Sequence, residues 1–88
     1  DLSVEEAARK SMLSQSYFSY LFKSITAKTF TEYLNDLRIS RAMELLIDTD
    51  KRVLDICHES GFNNVNHFNR LFRQKTGVSP RAYRRRNT

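Results

Sequence analysis

Residues 29–48 read TFTEYLNDLRISRAMELLID, and the spacing of their apolar positions decides the fold. The stretch predicts one helix of about five turns, about 28 Å long at about 1.5 Å per residue. Thr29 offers an N-cap hydroxyl, and Glu32, three residues on, reaches back to close a capping box. Phe30, Tyr33, Leu34 and Leu37 share one face at helical spacing. Ile39, Ala42, Met43 and Leu46 populate a second, rotated face further along. A helix whose apolar stripe changes face midway is suited to grip one body with its first half and another with its second.

The flanking sequence supplies those two bodies, because it is the same sequence twice. At an offset of 49, Val4 meets Val53, Glu6 meets Asp55, Ala8 meets Cys57, Ser11 meets Ser60 and Leu13 meets Phe62. One residue is then inserted in the second copy. At an offset of 50, Phe18 meets Phe68, Leu21 meets Leu71, Phe22 meets Phe72, Lys23 meets Arg73 and Thr26 meets Thr76. Thr29 then meets Ser79, and Tyr33 meets Tyr83. Chance likeness between amphipathic helices would match apolar positions alone, whereas here the cap and turn residues match too.

With 88 residues the chain makes one domain or two very small ones, near the lower size for a self-sufficient core. Two Gly and one Pro leave little turn chemistry for a sheet, and no alternating β pattern is present, so the fold class is all-α. The longest aliphatic run is Leu45, Leu46 and Ile47, far short of a membrane span, and no charged leader precedes an apolar stretch. A single cysteine forms no internal disulfide, which fits a reducing cytoplasm.

Charge is distributed unevenly. Residues 1–59 carry eight Lys or Arg against ten Asp or Glu, a net of −2. Residues 60–88 carry seven bases (Arg70, Arg73, Lys75, Arg81, Arg84, Arg85, Arg86) and no acid. A one-sided basic third points to a polyanion, most simply nucleic acid. For Arg84 to Arg86 a solvated basic tail explains the run equally well. Arg70 and Arg73 sit inside a predicted helix and are harder to dismiss.

Read in order, Ser3 and Glu6 form a capping box ahead of a short helix lined by Val4, Ala7, Ala8 and Ser11. Met12 and Leu13 make the turn, with Leu13 as core plug. Ser14 caps the next helix, where Phe18, Leu21, Phe22 and Ile25 are expected inward. Gln15, Ser16, Ser19, Tyr20 and Lys23 take the opposite face. After a polar break at residues 50–52, Val53, Ile56, Cys57 and Ser60 repeat the first face, and Gly61 supplies a left-handed stop. Phe62 is the second plug and Asn63 the expected cap of a helix over residues 64–75. Val65, Phe68, Leu71 and Phe72 lie inward there, with Asn66, Asn69, Arg70 and Arg73 outward. Gly77 ends that helix, and Ser79 caps the last one with Pro80 at N1.

These residues resemble a known family. Ala8, Leu13, Ser14, the run Tyr17-Phe18-Ser19-Tyr20-Leu21-Phe22-Lys23, then Phe30, Tyr33-Leu34, Arg38, Ala42 and Leu45-Leu46 are similar to the first part of the DNA-binding domain of AraC/XylS-type transcription regulators. Ile56, Gly61-Phe62, Phe68, Arg70, Phe72, Gly77, Ser79-Pro80 and Tyr83-Arg84 resemble its second-half signature, so the likeness covers residues 2–85. It implies two homeodomain-like helix-turn-helix units, residues 1–28 and 49–88, joined by a linker helix over residues 29–48, the last unit carrying a C-terminal capping helix. Two recognition helices are then expected in successive major grooves of double-stranded DNA. The resemblance also implies a bacterial, cytoplasmic, nucleoid-associated regulator, mostly of the activating kind, that contacts RNA polymerase. A sensing or receiver domain, and a helix ahead of Leu2, usually complete the family's proteins and lie outside this chain. Three positions depart from the pattern: Ala27 stands where Gly is usual, Cys57 replaces Ala, and Tyr20 takes a position often held by Arg.

The expected interface follows from chemistry and resemblance together. Asn bridges adenine N6 and N7, and Ser adapts to several bases. Base edges are assigned to Gln15, Ser16, Ser19, Tyr20, Asn64, Asn66, His67 and Asn69. Phosphates are assigned to Ser14, Lys23, Asn63, Arg70, Arg73 and Lys75, with the N–H groups that open both recognition helices. No cofactor or metal is implied, because Cys57, His58 and Glu59 diverge by about 100° each along a helix. No nucleophile, base and orienting group stand at a spacing that suggests an enzyme. A helical protein-interaction module with an incidental basic tail remains the alternative, and RNA binding a weaker third, since no stacking sheet or clamp loop is predicted.

Overall fold

The computed structural model describes residues 3–87. It contains six helices, α1 (Val4–Lys10), α2 (Gln15–Thr26), α3 (Phe30–Asp48), α4 (Val53–Glu59), α5 (Val65–Thr76) and α6 (Pro80–Arg86), and no strand among the described residues. The chain divides into two compact units, Asp1–Asp36 and Leu37–Thr88, with the boundary inside α3. No helix of the described residues is long and apolar enough to cross a membrane.

Local chemistry starts most of these helices. Ser3 Oγ accepts the Glu6 N–H at 3.2 Å, and Ser14 Oγ accepts the Tyr17 N–H at 3.2 Å. At α3 the capping box is complete: Thr29 Oγ1 accepts from Glu32 N at 3.0 Å, and Glu32 Oε1 accepts from Thr29 N at 3.2 Å. Ser79 Oγ accepts the Ala82 N–H at 3.1 Å, with Pro80 in the first turn. Each such contact satisfies an N–H that the helix cannot pair internally, typically stabilising by about 1 kcal/mol.

The cap of α5 is Asn64, not Asn63 as the sequence suggests. Asn64 has extended backbone (φ −132°, ψ 112°), and its Oδ1 accepts the His67 N–H at 3.0 Å. Three residues separate α1 from the cap Ser14, whereas four separate α4 from Asn64. Asn63 is therefore the inserted residue, and Asn64 is the offset-50 counterpart of Ser14.

The first unit is held by an aromatic cluster. Phe18 and Phe22 stand 5.9 Å apart, and Phe30 meets them edge-on at 5.4 and 5.1 Å. Tyr33 closes on Phe22 at 5.5 Å. Ala7, Ala8 and Phe30 are buried, yet no residue of α2 is fully so. Ile25, expected inward, is 80% exposed. It sits in the last turn of α2, and its offset-50 counterpart, Lys75, is itself a surface residue. Leu37 also departs from the expected apolar face and is about half exposed.

The second unit repeats the ring geometry around a deeper core. Phe68 and Phe72 are 5.8 Å apart, Phe62 lies 5.2 Å from Phe68, and Tyr83 meets Phe72 edge-on at 5.5 Å. The rest of α3 supplies Ile39, Ala42, Leu45 and Leu46 to this core, alongside Ile56 and Cys57 of α4. Arg84 belongs to this framework and not to a solvated tail: its Nε donates to the Leu46 carbonyl at 2.9 Å and its Nη2 to the Thr49 carbonyl at 3.1 Å. Those oxygens lie at the open end of α3, where a cation opposes the helix dipole.

Among the described residues four adopt positive φ, and the repeat pairs them. Gly61 (φ 101°) and Gly77 (φ 82°) in the second unit correspond to Met12 (φ 60°) and Ala27 (φ 62°) in the first. At Gly61 an added Cβ would stand 3.2 Å from Arg38 Nε, so glycine serves packing as well as backbone there. Met12 and Ala27 carry the left-handed conformation with a side chain, at a cost of about 1–2 kcal/mol each. Glycine relieves that cost but adds about 0.5–1 kcal/mol of unfolded-state entropy. Ala27→Gly is therefore expected to stabilise the first unit by about 0.5–1 kcal/mol. Thermal melting checks it: an unchanged or lowered midpoint for Ala27→Gly would contradict the strain assigned to this turn.

Candidate nucleic-acid interface

The exposed face of α5 presents Asn66, Asn69, Arg70 and Arg73, spaced three, four and seven residues from the first. That spacing keeps all four on one side of the helix while Phe68 and Phe72 anchor the other. On α2 the same register exposes Ser16, Ser19, Tyr20 and Lys23 opposite Phe18 and Phe22. Tyr20 is 67% exposed, so its ring is available to a partner.

Each recognition helix borders a groove, and the two grooves are equivalent through the repeat. In the second unit Asn69, Arg70 and Arg73 of α5 face Val53 of α4 and Ser79, Pro80 and Arg81 at the start of α6, around a space of about 550 Å³. In the first unit Ser19, Tyr20 and Lys23 of α2, with Gln15 and Ser24, face Val4, Thr29, Phe30 and Thr31 around about 590 Å³. Every residue of the second groove has its counterpart lining the first. Their chemistry differs. Three guanidiniums line the second groove, whereas one ammonium, four hydroxyl side chains of Ser and Thr, an amide and a phenol line the first.

Of the residues assigned from sequence, the structure gathers Gln15, Ser19, Tyr20 and Lys23 into one groove and Asn69, Arg70 and Arg73 into the other. Ser16 and Asn66 stand exposed beside these grooves on the same helices, and Lys75 is exposed near the end of α5. Ser14 and Asn64 serve as caps. Asn64 Oδ1 accepts the His67 N–H, which leaves the side chain its second oxygen lone pair and its amide N–H donors. Asn63 is exposed in the turn. His67 is half-buried, its ring 5.9 Å from Phe62 and its Nδ1 3.1 Å from Arg70 Nη2. Arg81 carries no mark in the sequence that separates it from the basic run after it. Only the fold brings it from α6 to the groove of α5.

Electrostatics sort the cations. Lys28 pairs with Asp36, whose hydrogen bond and charge raise the lysine's pKa above its ordinary value. Arg41 pairs with Glu44 at 3.5 Å, Lys51 with Glu59 at 2.6 Å and Arg52 with Asp55 at 3.2 Å. Among the described residues no carboxylate pairs with Lys23, Arg70, Arg73 or Arg81. Arg70 and Arg73 share α5 and Arg81 joins them across the groove, so this face carries a concentrated positive charge. Cys57 is fully buried, and burial pushes its thiol pKa up, away from reactive thiolate character. No group of three His, Cys, Asp or Glu among the described residues is placed to hold a metal ion.

Known proteins carry the same architecture. The family described as "Helix-turn-helix domain" matches residues 7–86. An uncharacterized HTH-type transcriptional regulator of Escherichia coli K12, YijO, is 42% identical over 84 residues, covering 96% of this chain and 30% of its own length. The chain thus spans about a third of the length of this curated relative. A transcriptional regulator of Chromobacterium violaceum with an AraC-type DNA-binding domain superposes with a TM-score of 0.90 at 29% identity, covering 99% of this chain and 78% of that one. The DNA-binding domain of the global transcriptional factor AdpA, solved with a target DNA, superposes with a TM-score of 0.89 at 30% identity over 96% of this chain and 76% of its own. Two capped helix-turn-helix units, each with a polar recognition helix beside a groove, and relatives of this kind lead to one conclusion: the chain belongs to the AraC/XylS family of bacterial transcription regulators, as its DNA-binding domain.

Proposed function

We propose that both units read DNA sequence and that they divide the work unequally. The observation that carries this reading is the pair of repeat-related grooves, with three arginines in the second and a single lysine in the first. The second unit supplies most of the phosphate neutralisation through Arg70, Arg73 and Arg81. Asn66 and Asn69 present amides to base edges from the same helix. The first unit contributes Ser16, Ser19 and Tyr20 for base contact, with Lys23 toward the backbone. Arg81 joins the phosphate set because it shares a groove with Arg70 and Arg73.

Selection of bound sequences from a random duplex library, with competitor DNA and at several salt concentrations, tests the reading. Two separate clusters of preferred bases are expected, together with a salt slope in keeping with several phosphate contacts. A single cluster would show that only one unit reads bases. Equal binding of every duplex would show DNA binding without sequence reading, and no binding at all would return the domain to the protein-interaction alternative. We place RNA polymerase and a sensing or receiver domain among the partners of the longer regulator, on family membership and on the third of the relative's length spanned here. Transcription from a selected site with purified bacterial RNA polymerase, with and without the domain, tests the first of these.

A further inference from the structure

We propose that His67 is a positioning residue for Arg70: it holds the guanidinium toward the groove and acts on DNA through that arginine, without itself meeting a base. The proposal rests on the reading above that Arg70 meets DNA. Its support is a chain of contacts within the second unit. Asn64 Oδ1 accepts the His67 N–H at 3.0 Å and fixes the backbone of the first turn of α5. The imidazole then lies against Phe62, ring centres 5.9 Å apart and planes at 59°. Phe62 is itself buried in the core, so the imidazole rests on a fixed wall. The His67 Nδ1 is left 3.1 Å from Arg70 Nη2, one turn further along.

A guanidinium carries donors and no acceptor, so this contact is a hydrogen bond in the tautomer whose Nδ1 accepts. In that tautomer the ring holds an exposed, flexible side chain before any ligand arrives. Without the contact Arg70 would have to lose rotamer freedom at the moment of binding, which weakens association. Among the described residues no carboxylate competes for this guanidinium. The first unit has no such device. Its corresponding residues are Tyr17 and Tyr20, both exposed, at 52% and 67%. The plug Phe62, larger than its counterpart Leu13, gives the second unit the wall that the arrangement uses, while the cap Asn64 has its counterpart in Ser14.

A double-mutant cycle on the 88-residue chain, read as affinity for a duplex selected as above, tests this. Arg70→Ala is expected to weaken binding roughly tenfold or more, as for loss of a guanidinium contact. His67→Leu keeps an apolar body against Phe62 and removes the acceptor, and is expected to weaken binding about threefold to fivefold. His67→Asn places its Oδ1 near the original Nδ1 and should bind like the parent. The double variant His67→Leu with Arg70→Ala should be no weaker than Arg70→Ala alone. Multiplying effects in the double variant would show that His67 meets DNA independently and would overturn the proposal, as would His67→Asn binding no better than His67→Leu. An unaffected Arg70→Ala would instead sink the underlying reading that Arg70 meets DNA. Melting curves of each variant separate loss of fold from loss of contact. A folded His67→Leu with parental affinity also overturns the proposal.

Discussion

Phe72→Ala should unfold most of the second unit at ambient temperature. Phe72 is fully buried, with Phe68 at 5.8 Å and Tyr83 edge-on at 5.5 Å, and its removal leaves a cavity that these rings cannot close without leaving their own positions. The expected cost is about 3–5 kcal/mol. That is comparable to the whole stability of a domain this small. The repeat makes Phe22 its counterpart, and from the sequence alone the two would be expected to cost the same. The structure separates them, because Phe22 is only partly buried and α2 has no fully buried residue. Phe22→Ala is therefore expected to cost roughly half as much. Amide signals of α5 and α2, followed separately through a thermal melt, check both. A larger loss for Phe22→Ala than for Phe72→Ala would reverse the order of the two cores.

Arg73→Ala and Asn66→Ala should differ in kind. They lie seven residues apart on α5, two turns, and both are exposed on its outward face. The Arg73 guanidinium lines the groove with no carboxylate beside it among the described residues. Its loss should weaken specific and random DNA alike and lower the salt slope by about 0.9. Asn66 has no charge to contribute to that slope. Its removal should leave the slope unchanged and erase about 1–3 kcal/mol of preference at one base pair. Salt titrations paired with selection on both variants decide the matter. If Asn66→Ala weakens all sequences equally and Arg73→Ala shifts the selected motif, the outward face has been assigned one step around the helix from where it lies.

The sequence by itself determined the number and type of elements, the duplication and the family. Helix starts depend on one or two side chains, so Ser3, Ser14, Thr29 and Ser79 could be read directly, and each accepts the N–H expected of it. Amphipathic spacing is equally local, and it placed Phe68 and Phe72 correctly. The insertion was visible in the change of offset, but which residue it displaced was not. Asn63 and Asn64 are chemically identical caps, and only the backbone conformation distinguishes them.

Burial depth and convergence were decided by tertiary structure. Ile25 obeys the inward spacing and yet is exposed, because a periodicity states which way a residue faces and not whether anything stands opposite. Arg81 and Arg84 lie three residues apart in the basic last third of the chain, and their fates diverge in space. Arg84 reaches across about 35 residues of chain to the carbonyls that end α3, while Arg81 lines the groove of α5. The grooves themselves are each assembled from helices that are separate in the chain, a juxtaposition that no local pattern encodes. The sequence therefore specified the helices and their repeat through short-range hydrogen bonding and apolar periodicity. Which cations share a groove, and which rings make a deep core, followed only from the packing of one helix against another.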